Sequence, residues 1–173
     1  MAQTTLKYYG ISPWEVEVLY GYLRNHFDIV QKEIEPDEAD YVSKMTISIP
    51  VAFGDAFFVW FEYRRWERIK ALFKEMKRRR GSGNALKIVV EFAGNPDITF
   101  DIDARDKQWF DNSVEKIDVI LELLPYHMQK LPAQTSGITY KFDEKTVRWR
   151  HYQIVSGGVS YRAVGGRWKQ ISD

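Results

Sequence analysis

The side chains best suited to chemistry in this sequence gather near its end. Between Thr146 and Ile171 stand Arg148, Arg150, Arg162, Arg167 and Lys169, with no acid among them. Guanidinium and ammonium groups in such a cluster pair with carboxylates or phosphates. Tyr152 stands among these cations, with Trp149 and Trp168 nearby, and aromatic rings interleaved with cations suit single-stranded nucleic acid. Lys77, Arg78, Arg79 and Arg80 form a second basic patch ahead of Gly81. That run ends a helix, where exposed carbonyls and the negative end of the dipole disfavour phosphate.

Other constellations carry less. Asp97, Asp101 and Asp103 resemble the carboxylate set of a metal-dependent hydrolase or nuclease, which holds a divalent ion between acids. They lack a partner lysine at useful spacing, and turn chemistry plus the outer side of a hairpin accounts for them. His26, His127 and His151 are too scattered for a zinc site. No phosphate loop, dinucleotide fingerprint or nucleophile elbow is present, and neither cofactor nor metal is expected.

Composition narrows the classes. A chain of 173 residues with 45% apolar and 15% aromatic content can bury one substantial core. It has no cysteine, which excludes disulfides, thiol chemistry and cysteine-bound zinc. No signal peptide or membrane-spanning run is legible, so the expected location is cytoplasmic. The net charge of +1 conceals blocks of −5, +7, −6 and +5 over 1–60, 61–90, 91–144 and 145–173. Either these blocks neutralise one another in the fold or one sign is gathered for a partner.

Several elements must position those side chains. Ser12, Pro13 and Glu15 form a capping signature, and Val16, Leu19, Tyr20, Leu23 and Phe27 continue as a helical stripe. Residues 28–41 read as an acidic loop. Met45, Ile47 and Ile49 alternate with polar neighbours as a strand. A helix runs from about Glu62 to Arg80 on Trp66, Ile69, Leu72, Phe73 and Met76, with Gly81 as its stop. Arg64, Arg68, Lys70, Lys74, Lys77 and Arg78 fall on its opposite, solvated side, and Phe57–Phe61 fits either a helical turn or a short strand.

Leu86 to Ile102 reads as a hairpin about a Gly-Asn-Pro-Asp turn. Phe110, Val114, Ile117, Leu121 and Leu124 mark another helix, with Asn112 and Glu115 as its cap and Pro125 as its end. The pattern predicts an α+β fold of antiparallel sheet, with two or three amphipathic helices on one face and a C-terminal meander of three to four strands. One α+β domain spans 1–173, and 125–137 is the one linker-like stretch where a subdomain boundary would precede a meander over 138–172.

Within the meander, a one-residue slip inverts the faces. A three-residue Ser156-Gly157-Gly158 loop sets Val155 opposite Val159, and a two-residue Gly165-Gly166 turn sets Arg162 opposite Lys169. Val147, Trp149, Val155, Val159, Tyr161, Ala163 and Trp168 then share an apolar face that also takes His151. Arg148, Arg150, Arg162, Arg167 and Lys169 share the other, beside Tyr152. The plainer account is an outer face that is solvated, or covered by the acidic segment 91–144. The functional account is a non-enzymatic binding protein with an anionic partner, nucleic acid or an acidic protein surface. An inhibitor, immunity or adaptor protein uses the same steering charge.

Overall fold

The computed structural model describes residues 1–171. Strand β1 (Gln3–Tyr9) leads into helix α1 (Pro13–Leu23) through Gly10, whose positive φ of 66° suits glycine. A Cβ at Gly10 would lie 2.8 Å from the Val42 carbonyl oxygen, so the site also lacks room for a side chain. The capping box forms as the sequence predicts: the Glu15 amide donates to Ser12 Oγ, and the Ser12 amide donates to Glu15 Oε1 at 3.0 Å.

The remaining elements are β2 (Asp28–Glu33), β3 (Lys44–Ile49), α2 (Asp55–Phe61), α3 (Tyr63–Arg80), β4 (Lys87–Phe92), β5 (Asp97–Ile102) and α4 (Lys107–Glu115). A one-turn 3-10 link (Lys116–Asp118), α5 (Val119–Gln129), β6 (Thr135–Asp143), β7 (Arg148–Ser156), β8 (Val159–Val164) and β9 (Arg167–Gln170) follow. The nine strands form one sheet in the order β2-β1-β3-β4-β5-β6-β7-β8-β9.

The expected mixture of strand and helix is present, but the sheet is mixed rather than antiparallel. β1/β2, β3/β4 and β5/β6 are parallel pairs, each bridged by helix, and antiparallel neighbours join these βαβ units. Strands separated by a helix return in the same direction, which alternation within each strand does not reveal. β2 was expected as loop; its sequence DIVQKE lacks alternation because this edge strand is exposed along most of its length. From β6 onward the strands form the expected antiparallel meander.

One apolar layer unites the sheet and helices. Leu6, Met45, Ile47, Ile88, Val90, Phe92, Phe100, Ile102 and Tyr140 meet Leu19, Phe58, Trp66, Phe73 and Phe110 in one buried cluster. Each fully buried large apolar side chain contributes about 1.5–3 kcal/mol by leaving water. The intervening strand residues, such as Thr5, Thr46, Ser48, Thr99 and Thr139, remain partly exposed on the opposite face. That face carries no helix among the described residues.

One open alternative is decided and two local expectations are corrected. Phe57–Phe61 is helical, within α2. The cap of α4 is Asp106, whose side chain accepts from the Gln108 amide at 3.0 Å, while Asn112 lies inside the helix. Pro125 stands inside α5, which continues to Gln129. Its ring removes one helical hydrogen bond, and its exposed position lets water reach the carbonyl left over.

Candidate functional site

Register places two polar rows across the uncovered face. One row runs Thr5, Ser48, Glu91, Thr99, Thr139, Gln153, Arg162, Lys169 from β1 to β9. The other runs Lys7, Thr46, Val89, Asp101, Lys141, Arg150 from β1 to β7. The cations of the meander therefore extend a polar surface shared by the whole sheet.

Their common side survives two compensating departures from the sequence reading. The β7–β8 turn is two residues, Gly157-Gly158, both at positive φ, so Ser156 faces Val159 and Gln153 faces Arg162. Two-residue turns with both φ values positive match the twist of paired strands. By itself this shorter turn would move the β8 and β9 cations to the other face. An irregularity in the β6–β7 ladder offsets it, because Tyr140 pairs with His151 and Thr139 with Gln153. The extra residue, Tyr152, is a β-bulge that restores the alternation. Arg148, Arg150, Arg162, Arg167 and Lys169 consequently share the outer side, and all five are exposed. The expected placement of Val155 on the apolar face fails, since it pairs with Ser160 on the outer one. Val147 sits in the preceding turn at φ 55°. The expected Gly165-Gly166 turn is present, with Arg162 opposite Lys169 and Ala163 opposite Trp168.

Neutralisation differs along the face. Between β2 and β3 the chain folds back so that Glu38 meets Lys44 at 3.0 Å and Lys87 at 2.9 Å. Burial alone would raise the Glu38 carboxyl, but hydrogen bonds from Lys87 and Lys44 hold it below its usual range. Asp101 and Asp103 lie 3.8 and 3.4 Å from Lys141 Nζ. Burial raises the Asp101 pKa despite Lys87 and Lys141 nearby. Lys141 and Arg162 then close over the Tyr152 ring from 4.7 and 4.8 Å.

Beyond Tyr152 the acids run out. Arg150 approaches Asp143 at 3.5 Å, an exposed pair of the kind that contributes little. Arg148, Arg162, Arg167 and Lys169 form no ion pair among the described residues. The acidic segment 91–144 thus reaches Lys141 and Arg150 and leaves the other cations uncovered.

A cleft of about 770 Å³ opens beside this region, between β7, the β8–β9 hairpin and the end of α5. Trp149, His151 and Trp168 line its strand side, and His127 and Lys130 reach it from α5. The His127 and His151 rings lie 4.4 Å apart, and His127 Nδ1 shares a 2.9 Å hydrogen bond with the Tyr140 hydroxyl. Burial, with His127 and Lys130 adjacent, pushes His151 down to about 4. Burial and Lys130 lower His127 as well. Both rings are held neutral, and His151 Nε2 is buried without a hydrogen-bond partner. His151 is half-buried on the inner face as expected, but it is not the satisfied histidine expected there, since Nε2 lacks a partner. Nothing in the sequence signalled Lys130 or the pairing of the two histidines.

The second basic run does not assemble as a patch. Lys77 is buried, with its ammonium donating to the Gly83 carbonyl and lying over Phe110. Arg78 pairs with Glu75, and Arg79 covers Trp14. Arg80 donates to both Glu15 oxygens at 2.6 and 2.7 Å, and Glu15 is only 1% exposed. Lys70, expected on the solvated side, is 2% exposed and bonded to Glu67, Glu115 and Asp118. These cations fasten α3 to α1 and to the 3-10 link. Asp97 accepts from the Gly94 amide in the β4–β5 turn, away from the Lys141 cluster that occupies Asp101 and Asp103. Among the described residues no group of three His, Asp or Glu is placed to hold a metal ion.

No family model, curated protein or solved structure matches this chain. No described helix is long and apolar enough to cross a membrane.

Proposed function

We propose that the chain is a non-enzymatic binding protein whose C-terminal sheet engages an anionic macromolecule. The exposed set Arg148, Arg162, Arg167 and Lys169 carries this reading, because all four face outward and none forms an ion pair among the described residues, Asp143 opposite Arg148 being turned to Arg150. Arg162 stands directly opposite Lys169, and like charges so placed are mildly destabilising. A bound anion relieves that repulsion. The same charge speeds association with an acidic partner and makes binding dependent on ionic strength.

Retention on immobilised poly-L-glutamate tests the reading. The protein is expected to bind at low salt and elute as salt rises, and an Arg148→Glu/Arg162→Glu/Arg167→Glu variant is expected to pass through. Equal retention of the two proteins, or no retention of either, would overturn it.

A further inference from the structure

We infer that the cleft beside β7 receives an extended peptide, added as a strand, in which acidic and apolar residues alternate. This rests on the anion-binding reading and names the partner's chemistry.

The observation behind it is an incomplete ladder. β7 begins at Arg148, but its pairing with β8 begins only at Gln153 opposite Arg162. On the opposite bank, Ala163 and Val164 pair with β9 alone. Two features account for it: β8 ends at Val164, which in this register would reach only as far as His151, and the ladder stops at the bulge residue Tyr152, where an extra residue increases local twist. In an antiparallel strand successive residues direct their backbone groups to alternate sides. The stretch Arg148–Tyr152, about 17 Å of strand, therefore presents amide and carbonyl groups toward the cleft without a β8 partner. Main-chain pairing along such an edge gives affinity, and the alternating side chains give specificity.

The flanking side chains define the guest. Arg148 and Arg150 project to the outer face, and Arg167 lines the opposite bank. A strand laid between them would place every second side chain among these guanidiniums, where carboxylates fit. Its other side chains would turn inward toward Trp149, His151 and Trp168, a largely aromatic lining with the Lys130 ammonium at its α5 end. Asp143 is the one carboxylate among the lining residues and already pairs with Arg150. The expected motif is an acid at every second position with an apolar residue between.

Single-stranded nucleic acid fits less well because base stacking needs free rings. The Tyr152 ring is already engaged by both Lys141 and Arg162. Trp149 is buried with its indole N–H donated to the Ser113 carbonyl, and Trp168 lies against His151. Among the described residues, Tyr152, Trp149 and Trp168 are each partly or fully covered.

The test uses three short blocked peptides and an oligothymidylate. One peptide alternates glutamate with valine; the second has the same composition in two blocks; the third is the alternating peptide N-methylated at every second residue. Expected results are tightest binding by the alternating peptide and slowed hydrogen exchange at Arg148–Tyr152. N-methylation and the Arg148→Glu/Arg150→Glu variant should each weaken it roughly tenfold or more. Both arginines are exposed, and an unchanged thermal midpoint would confirm that the variant folds. Equal binding by the block or N-methylated peptide would overturn strand addition while leaving anion binding intact. Tighter oligothymidylate binding would overturn the peptide assignment, and failure of every probe, poly-L-glutamate included, would overturn the anion-binding reading itself.

Discussion

The uncovered face of the sheet carries cations at two places, and they are treated differently. Near β3 and β4, Lys44 and Lys87 are met by Asp37, Glu38 and Asp101. The covering segment closes further through Tyr9, whose hydroxyl donates to the Glu38 carbonyl, and through Tyr41, which lies under Lys87. At β7 to β9, four exposed cations lack any such cover among the described residues. Strand alternation puts both groups on one side, so alternation alone does not explain the contrast. Connection length does. The segment between β2 and β3 is long and acid-rich and can fold back over the strands. The links β7–β8 and β8–β9 are glycine pairs, too short to return an acid to the face. The first group is bound into the fold by ion pairs, and the second is left exposed.

Substitutions should separate the two roles. The largest loss is expected where an ion pair is most buried, at Glu15→Ala, which strands the Arg80 guanidinium between α1 and α3. Breaking one partner of such a pair costs about 3 kcal/mol, readable as a lower urea midpoint. Lys87→Ala should cost less, about 1–3 kcal/mol, because Glu38 is still in reach of water while Asp101 loses a neighbour. By contrast Arg148→Ala, Arg162→Ala and Arg167→Ala should each move stability by under about 0.5 kcal/mol, while each weakens polyglutamate retention. A cost at Arg162 matching that at Lys87 would erase the contrast.

Acid titration sharpens it further. Burial alone would raise the Glu15 carboxyl, but hydrogen bonds from Arg80 and Ser12 hold it at about 2. Stability from this pair is present above the unfolded value near 4.5 and is lost as pH falls toward 2. His151 behaves likewise at higher pH. Its folded value of about 4 lies below the ordinary 6.5, so the unfolded chain binds the proton first. Stability should begin to decline as pH drops below 6.5, and His151→Gln should reduce that early decline, leaving the share of His127, which burial also lowers. Thermal midpoints measured across the range would show both steps; a flat profile from pH 7 to 4 would contradict the neutral, buried imidazole.

What could be read from the sequence follows from how local each signal is. The box at Ser12 and Glu15 and the hairpin from Leu86 are settled by neighbouring residues, and both stand as expected. The parallel pairing of β1 with β2 depends on a return across a helix, and the strand DIVQKE lacks the alternation that would announce it. Lys70 and Lys77 looked solvated because helical spacing shows one apolar side; the packing of α4 against α3 buries them. In the meander a three-residue turn without a bulge and a two-residue turn with a bulge at Tyr152 put the cations on the same side, and the structure has the second. The bulge at Tyr152, beside the cleft, has no sequence signal beyond the mismatch between turn and pattern.

The central claim is that the cations of β7 to β9 serve a partner and not the fold. The most direct measurement pairs thermal unfolding with polyglutamate retention for one Arg148→Glu/Arg162→Glu/Arg167→Glu/Lys169→Glu variant. An unchanged or higher midpoint with retention abolished is the predicted result. A midpoint that collapses, or retention that persists, would contradict it.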